Sequence, residues 1–433
     1  MAAVLALYAL ACLLVLAVKD YTVLLLAAVA AGLLQAPLLS LTHDTAFQFV
    51  DDIPAALVLV GAVLTALGGR LRSGRRALLL LAALLGLVAF GVARSPDIGV
   101  GLAQARQVLL PLGLVFAGYV LRDRIRWRVL YGGVAVFAAA AVAWTLTEEA
   151  IQAPLIDPVW YYVEAVGGKP SSLREGLPPA YFADGVGGET VFRPGGPFMN
   201  PPVLGFFLGL GSLAARFAIH SMPLRWAFYG MTALALFFSY ARAGILIFLV
   251  LTVVYMIWVK LGRFAGTATG AMLGLYLAAT FIEQGNTASH SKGLGDGLMA
   301  GVTSPLGIGF GSTGYQAALE GAENAGVSES LLGLYFAWLG LPMIIAVVAY
   351  AWACWRRILA APRKLTSTLW VSLAMALGAA SSESASSMAA TPVLWFVCGA
   401  VLVSAPQTRR AVSRRRSPSL RMLRSWDPGR VPL

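Results

Sequence analysis

Residues 21–41 read YTVLLLAAVAAGLLQAPLLSL, a run of 21 residues without a charged side chain. A helix needs about 20 apolar residues to cross the hydrocarbon core of a bilayer, so this run predicts a membrane span. Similar runs recur along the chain and predict further spans near residues 3–18, 53–69, 77–93, 98–121, 129–147, 198–217, 226–241, 243–259, 264–281, 330–352, 366–381 and 387–404. The predicted fold is therefore all-α: a polytopic integral membrane protein with about 12 or 13 transmembrane helices.

The composition supports this class. Of the 433 residues, 59% are hydrophobic and only 12% are charged, with a mean hydropathy of +0.77. A soluble chain would carry roughly twice this charged fraction, which excludes an ordinary cytosolic enzyme, a nucleic-acid binder and a disordered protein. Cysteines are scattered and show no CxxC spacing, so neither a disulfide framework nor a zinc site is predicted. Met1–Val18 lacks a basic n-region and a cleavage site, which favours a retained span over a signal peptide.

The charged residues predict the orientation. If alternate connections face the cytoplasm, 25 of the 32 basic residues lie inside and 17 of the 20 acidic residues lie outside. This asymmetry follows the positive-inside rule and predicts a cytoplasmic C-terminus. Thirteen spans would put Met1 outside, whereas twelve would result if one marginal segment does not cross. The marginal segments are the first closely spaced pair and the pair that flanks the polar stretch Ser381–Ser387.

Two outer connections are longer than ordinary linkers, and loops of this length are usually functional. The first contains many Pro, Gly and aromatic residues, and the second is rich in Gly and small polar residues. The predicted organisation is N-terminal transmembrane helices over 1–147, an outer loop over 148–197, central transmembrane helices over 198–281, a second outer loop over 282–329, C-terminal transmembrane helices over 330–405 and a basic, disordered cytoplasmic tail over 406–433.

Arginines on the acidic outer face are the first candidate binding residues. Arg193 lies where the first long loop re-enters the membrane, and Arg242 lies between two apolar runs at the outer boundary. A guanidinium group can bind two phosphate oxygens at once, so both positions suit a lipid-linked phosphate or pyrophosphate. The alternative is an arginine that extends to the interface without binding a ligand. Arg106 lies inside a predicted span and needs either a polar cavity or a carboxylate partner across the bundle.

Candidate catalytic bases come from the second outer loop. They are His290, Glu323 and Glu329, and Glu329 directly precedes a span. Partial desolvation there would raise its pKa toward that of a useful general base, whereas a solvated loop charge is the alternative. The three histidines of the chain are far apart, so no metal site is predicted.

A GxGxxG pattern occurs at Gly307–Gly314, but no βαβ unit surrounds it and it lies in the outer loop. The dinucleotide interpretation therefore fails on context. What the glycines indicate is a flexible loop whose backbone approaches another group closely.

The order of these motifs resembles the bacterial O-antigen ligase/polymerase superfamily. The matching segments are Arg-x-x-Gly-x-Phe-x-Asn-Pro at Arg193–Pro201, Ser-x-x-Arg-x-Gly at Ser239–Gly244, Pro-Leu-Gly-x-Gly-x-Gly at Pro305–Gly311, and the span that opens after Glu329. The resemblance covers roughly residues 193–340. Two departures are Ser-Tyr-Ala-Arg in place of the commoner Ser-Arg-Gly, and Glu323-Asn324 where ligases often have His-Asn. The second departure favours a polymerase, in which a glutamate just before the span is familiar.

The resemblance implies an inverting, metal-independent glycosyltransferase of the bacterial inner membrane that needs no cofactor. Its donor would be an undecaprenyl-pyrophosphate-linked oligosaccharide, used at the periplasmic face in O-antigen or exopolysaccharide biosynthesis. Arg193, Arg242 and Arg106 would contact the pyrophosphate, and the acceptor would be a glycan or, for a ligase, the lipid A core. The expected partners are the lipid bilayer and a chain-length regulator, with no nucleic acid. A ligase and a transporter or flippase, in which Arg106 would line the path, are the alternative functions.

Overall fold

A computed structural model describes residues 2–68, 72–184, 189–262, 288–314, 330–360 and 366–402, with short pieces between 264 and 272. Most of the span predicted at 264–281 and the tail predicted at 406–433 lie outside these residues. The first half of the chain forms six helices, which are α1 (Ala2–Ala17), α2 (Tyr21–Thr42), α3 (Asp52–Gly68), α4 (Arg72–Ala93), α5 (Ile98–Leu121) and α6 (Trp127–Ile151).

Acidic residues start several of these helices. Asp20 accepts a hydrogen bond from the backbone N–H of Val23, and Asp97 accepts two from the backbone N–H groups of Gly99 and Val100. Such caps satisfy backbone donors that have no partner within the helix. His43 and Gln152 adopt the left-handed conformation at the ends of α2 and α6, which stops both helices. The described helices agree with the predicted spans to within a few residues at most boundaries.

The second half begins with a small β-hairpin. Two short strands, β1 (Phe182–Asp184) and β2 (Thr190–Phe192), pair antiparallel with Phe182 opposite Phe192. The helices that follow are α7 (Pro201–Ala218), α8 (Met222–Phe238), α9 (Arg242–Leu249), α10 (Tyr255–Leu261), α11 (Ala288–Thr303), α12 (Leu331–Leu339), α13 (Leu341–Ala360), α14 (Thr366–Ser381) and α15 (Pro392–Val401). Short π-helical segments are Tyr161–Ala165 and Val250–Val254, the latter joining α9 to α10, and 3₁₀ turns are Thr45–Phe49, Arg122–Arg124, Pro170–Ser172, Pro179–Tyr181, Gly196–Phe198 and Glu383–Ser386.

Six helical segments of the described chain are long and apolar enough to cross a membrane. They are Tyr21–Thr42, Thr45–Gly68, Ile98–Arg124, Trp127–Ile151, Pro201–Ala218 and Arg242–Leu261. Shorter apolar helices are Ala3–Ala17, Ala77–Ala93, Leu341–Cys354, Val371–Ser381 and Pro392–Val401. The helical character and the repeated apolar segments agree with the polytopic membrane class predicted from the sequence.

Helices α5 and α15 pack closely against each other. A methyl group added at Gly399 would lie 1.7 Å from the carbonyl oxygen of Val115, and one added at Gly118 would lie 1.9 Å from that of Phe396. Only glycine permits this approach, which is the usual device for close helix packing in membranes. All ten residues of α15 are buried, so this helix is surrounded by the others.

The span predicted at 330–352 is not one continuous helix, and this is a correction. It breaks at Gly340, which has a φ of 66°, between α12 and α13. The loop that follows α11 fills the break: the backbone N–H of Leu341 donates to the Pro305 carbonyl at 2.9 Å, and that of Ile308 donates to the Ala337 carbonyl at 2.8 Å. A side chain at Gly340 would collide with the backbone of Gly307.

The second outer loop, predicted over 282–329, contains a helix. Gly293, Gly297 and Gly301 recur every four residues on α11 and are buried. A methyl group added at Gly297 would lie 2.1 Å from the Gly333 carbonyl of α12. Close packing against α12 therefore offsets the low helix propensity of glycine.

Candidate functional site

Arg193 joins the first outer loop to the turn between α8 and α9. Its backbone N–H donates to the Tyr181 carbonyl at 2.8 Å, which fixes the residue beside the β1–β2 hairpin. Its side chain donates from Nε to the Ser239 carbonyl at 3.0 Å and from a terminal nitrogen to the Tyr240 carbonyl at 3.4 Å. These carbonyls lie at the end of α8, where the helix dipole favours a positive charge.

Arg242 is the first residue of α9, and its side chain is exposed. The turn before it is tight: Tyr240 has a φ of 48°, and the backbone N–H of Arg242 donates to the Tyr240 carbonyl at 3.0 Å. Ser239 is buried and donates its hydroxyl to the Leu236 carbonyl at 3.1 Å, which closes the end of α8. The turn between α8 and α9 therefore binds the side chain of Arg193 through its carbonyl groups and also contains Arg242.

The two arginines are close enough to interact. Burial, and next the positive charge of Arg242, lower the pKa of Arg193 to about 10. Among the residues that the structure describes, neither arginine forms an ion pair with a carboxylate. An anion between them would relieve their repulsion and accept charge-assisted hydrogen bonds. The N-terminus of α9 adds backbone N–H groups and the positive end of a helix dipole at the same place.

Close helix packing fixes the position of Arg242. A methyl group added at Gly205 of α7 would lie 2.6 Å from Cβ of Ala241, and one added at Gly244 would lie 2.4 Å from Cα of Gly205. The start of α9 is therefore pressed against α7. Asn200 caps α7 by accepting a hydrogen bond from the backbone N–H of Val203 at 3.3 Å.

Glu148, near the end of α6, is a residue of this region that sequence reasoning missed. It is 1% exposed, and its carboxylate accepts three hydrogen bonds. Oε1 accepts from Trp144 Nε1 at 3.0 Å and from the backbone N–H of Leu155 at 3.1 Å, while Oε2 accepts from the backbone N–H of Gly196 at 2.8 Å. Glu148 thus ties the turn that follows Arg193 to the bundle. Its place at the end of an apolar run was the available signal, but it also fits an ordinary outer loop charge.

A cluster of buried and partly buried aromatic side chains packs against the turn that follows Arg193. Tyr181 is fully buried and packs with Met199, Tyr161, Phe182 and Phe192. Burial raises the pKa of Tyr161 to about 12. A methyl group added at Gly195 would lie 2.9 Å from the Tyr181 hydroxyl oxygen, so the turn lies directly against this cluster.

Arg106 has a structural partner. Its Nε lies 2.5 Å from Oδ2 of Asp52 at the start of α3, and its guanidinium carbon lies 5.1 Å from the centre of the Phe49 ring. A carboxylate across the bundle is the alternative that the sequence left open. The structure thus pairs Arg106 with Asp52 and gives Arg193 its contacts at the α8–α9 turn.

The candidate bases are located only in part. Glu323 and Glu329 lie outside the described residues, and so does the side chain of His290, whose backbone belongs to α11. Ser330, the residue after Glu329, is buried and caps α12 by accepting a hydrogen bond from the backbone N–H of Gly333 at 3.1 Å. The chain that carries Glu329 therefore enters the bundle immediately after it.

The glycine loop predicted to make close approaches does so. Gly307, Gly309, Gly311 and Gly314 all have positive φ values, and the backbone N–H of Gly311 donates to Gln104 Oε1 at 2.6 Å. Arg94 donates to the Gly307 carbonyl at 2.5 Å. These contacts attach the loop to α4 and α5 and assign Arg94 a structural role.

Comparison with models of known protein families, with curated proteins and with solved structures gave no match.

Proposed function

We propose that this chain is a polytopic membrane glycosyltransferase that polymerises undecaprenyl-pyrophosphate-linked glycan repeat units at the periplasmic face. The observation that carries the proposal is the meeting of Arg193 and Arg242 at the α8–α9 turn, without a carboxylate partner among the described residues. Two neighbouring guanidinium groups of this kind suit a bound diphosphate. The motif resemblance between residues 193 and 340 indicates that this diphosphate belongs to a lipid-linked glycan.

The proposed reaction is an inverting transfer. The bond between the donor anomeric carbon and the pyrophosphate oxygen breaks, and a bond to an acceptor hydroxyl oxygen forms on the opposite face. Arg193 and Arg242 stabilise the departing pyrophosphate, and a base removes the acceptor proton. Glu329 is the proposed base, with His290 and Glu323 as the other candidates. Arg106 remains a proposed pyrophosphate contact, although its ion pair with Asp52 already explains its presence in a helix.

The proposed topology has 12 or 13 spans in the inner membrane with the C-terminus in the cytoplasm. Support comes from the apolar helices and from the concentration of basic residues in alternate connections. The partners under this proposal are the lipid-linked donor, a glycan acceptor, the bilayer and a chain-length regulator.

The test is turnover of purified protein with lipid-linked repeat units. Arg242→Ala should abolish glycan elongation while insertion and folding persist, and Arg242→Lys should restore little because an ammonium group cannot bind two oxygens in the same way. Lys169→Ala is the matched control, since it removes an exposed positive charge from the loop that carries Arg193. Activity of Arg242→Ala close to that of the parent would refute the proposed site.

Supplying different acceptors separates the related functions. Elongated lipid-linked glycan supports a polymerase, whereas transfer only to a lipid A core supports a ligase. Flux of donor across vesicles with no new glycosidic bond would identify a transporter or flippase and refute the enzyme.

A further inference from the structure

A cavity of about 530 Å³ opens at the end of the bundle that carries Lys19 and the arginines at 122–128. It lies between the ends of α1 and α3, the start of α2 and the 3₁₀ turn after α5. Leu16 and Leu64 contribute apolar walls, and Tyr21 and Thr65 contribute hydroxyl groups. This end is opposite to the Arg193–Arg242 site and takes no part in the proposed reaction.

Two positive charges line this cavity, and neither has an ion-pair partner among the described residues. Lys19 and Arg124 are both exposed, and in the described part of the chain neither side chain forms an ion pair or a hydrogen bond. The nearest acidic residues in sequence are Asp20, whose carboxylate is 2.5 Å from Arg126, and Asp123, whose carboxylate is 3.9 Å from Arg122. The cavity therefore presents net positive charge beside apolar surface.

Lys19 has an unusual backbone conformation. Its φ is 58°, in the left-handed turn that ends α1, and its backbone N–H donates to the Leu16 carbonyl at 2.9 Å. Glycine is the residue that adopts this conformation without strain. A lysine side chain disfavours this left-handed backbone conformation. Lys19→Gly would remove the charge and relax the turn at the same time.

We propose that this cavity binds the phosphate headgroup of an anionic phospholipid from the cytoplasmic leaflet. Lys19 and Arg124 contact the headgroup, and the acyl chain lies along Leu16 and Leu64. Leu64 is 60% exposed, so this wall opens toward the hydrocarbon region. The two cations can bind a phosphate group, and the apolar wall can bind an acyl chain, which a soluble phosphate lacks.

The test is native mass spectrometry of the full chain in detergent with dioleoylphosphatidylglycerol or dioleoylphosphatidylcholine added. The anionic lipid should bind more tightly, and Lys19→Gly and Arg124→Gln should each weaken its binding about fivefold, the effect typical of one basic residue at an anionic membrane. Lys19→Gly should unfold at no lower temperature than the parent, which separates loss of binding from loss of fold.

Arg128→Gln is the matched control, because Arg128 is exposed at the same end but does not line the cavity. An equal loss in this variant would assign the effect to diffuse surface charge and overturn the proposal. Equal binding of the two lipids would also overturn it. Competition by glycerol 3-phosphate as strong as that by the anionic lipid would identify a soluble anion as the ligand instead.

Discussion

Replacing Glu148 by glutamine tests whether this residue of α6 holds the turn that follows Arg193 in place. Glutamine can keep Oε1 and its two hydrogen bonds, from Trp144 and Leu155, but places an NH₂ group against the backbone N–H of Gly196. The lost bond joins a buried carboxylate to a backbone donor, and hydrogen bonds to charged groups contribute about 1.5–3 kcal/mol. Relief from burying a charge offsets part of this. We expect Glu148→Gln to lower the free energy of unfolding by about 1–2 kcal/mol.

The effect on function should be larger than the effect on stability. Displacing the Gly195–Gly196 turn moves Arg193, and a misplacement of about 1 Å in a catalytic group can reduce turnover about 100-fold. We expect Glu148→Gln to lower kcat for glycan elongation by about 10- to 100-fold while the protein remains folded at the assay temperature. Thermal unfolding in detergent and elongation kinetics are measured on the same preparation.

Glu149→Gln is the control, since it makes the same chemical change at the next residue, whose side chain is only half-buried. Turnover of Glu148→Gln equal to that of Glu149→Gln would refute the positioning role, even if its stability falls. Unchanged stability and turnover together would show that the hydrogen bond from Gly196 to Glu148 does not hold the turn.

Two further predictions follow from the same geometry. Because the pKa of Arg193 is lowered to about 10, its proton leaves as pH rises through that value, so the affinity for a dimethyl pyrophosphate diester, which has no ionisation there, should fall up to tenfold per pH unit above 10. In Arg242→Gln the loss of affinity should begin at higher pH, because the positive charge that helps to lower the pKa of Arg193 is gone. The same onset in the parent and in Arg242→Gln would contradict an interaction between the two arginines. For Gly307→Ala we expect marked destabilisation in thermal unfolding, because a methyl group there would lie 2.1 Å from the Trp338 carbonyl and would meet a φ of 75°. Gly176→Ala carries a similar φ of 78° with open space around it, so it should cost only the conformational strain of about 1–2 kcal/mol, and equal losses would refute the packing role.

Helix positions in this chain could be predicted well because membrane crossing imposes a simple rule. A segment that crosses the membrane must be predominantly apolar, and charged residues concentrate at its ends. The span predicted at 98–121 and the helix Ile98–Leu121 coincide for this reason. The break at Gly340 could not be predicted, because both sides of it are apolar and the hydrogen bonds that replace the helical ones come from Pro305 and Ile308, far away in sequence.

In the candidate site, only residues whose charge is unusual for their place in the sequence could be predicted. Arg193 and Arg242 stand out in the sequence as positive charges on the acidic face that is predicted to be the outer one, and the structure brings them together. Glu148 gave no such contradiction, because an acidic residue is common on that face and its burial depends on Gly196, which lies 48 residues later. Arg106 did contradict its surroundings, yet the structure gives it Asp52 as a partner. An unusual charge in the sequence therefore indicates that the residue has a specific contact, but it does not show whether that contact is a ligand or another residue of the chain.

The arrangement of the two arginines favours the departing group over the intact donor. In the proposed reaction, the pyrophosphate gains negative charge as the anomeric carbon–oxygen bond breaks, so an electrostatic contact strengthens as the transition state is approached. Without an anion, the charge of Arg242 and burial both oppose protonation of Arg193, as its lowered pKa shows. Each increment of negative charge on the ligand removes part of this repulsion, and the carbonyls of Ser239 and Tyr240 keep Arg193 from moving away. Loss of Arg242 should therefore reduce kcat more than it raises KM, whereas a pair that served only to recruit the donor would change KM alone.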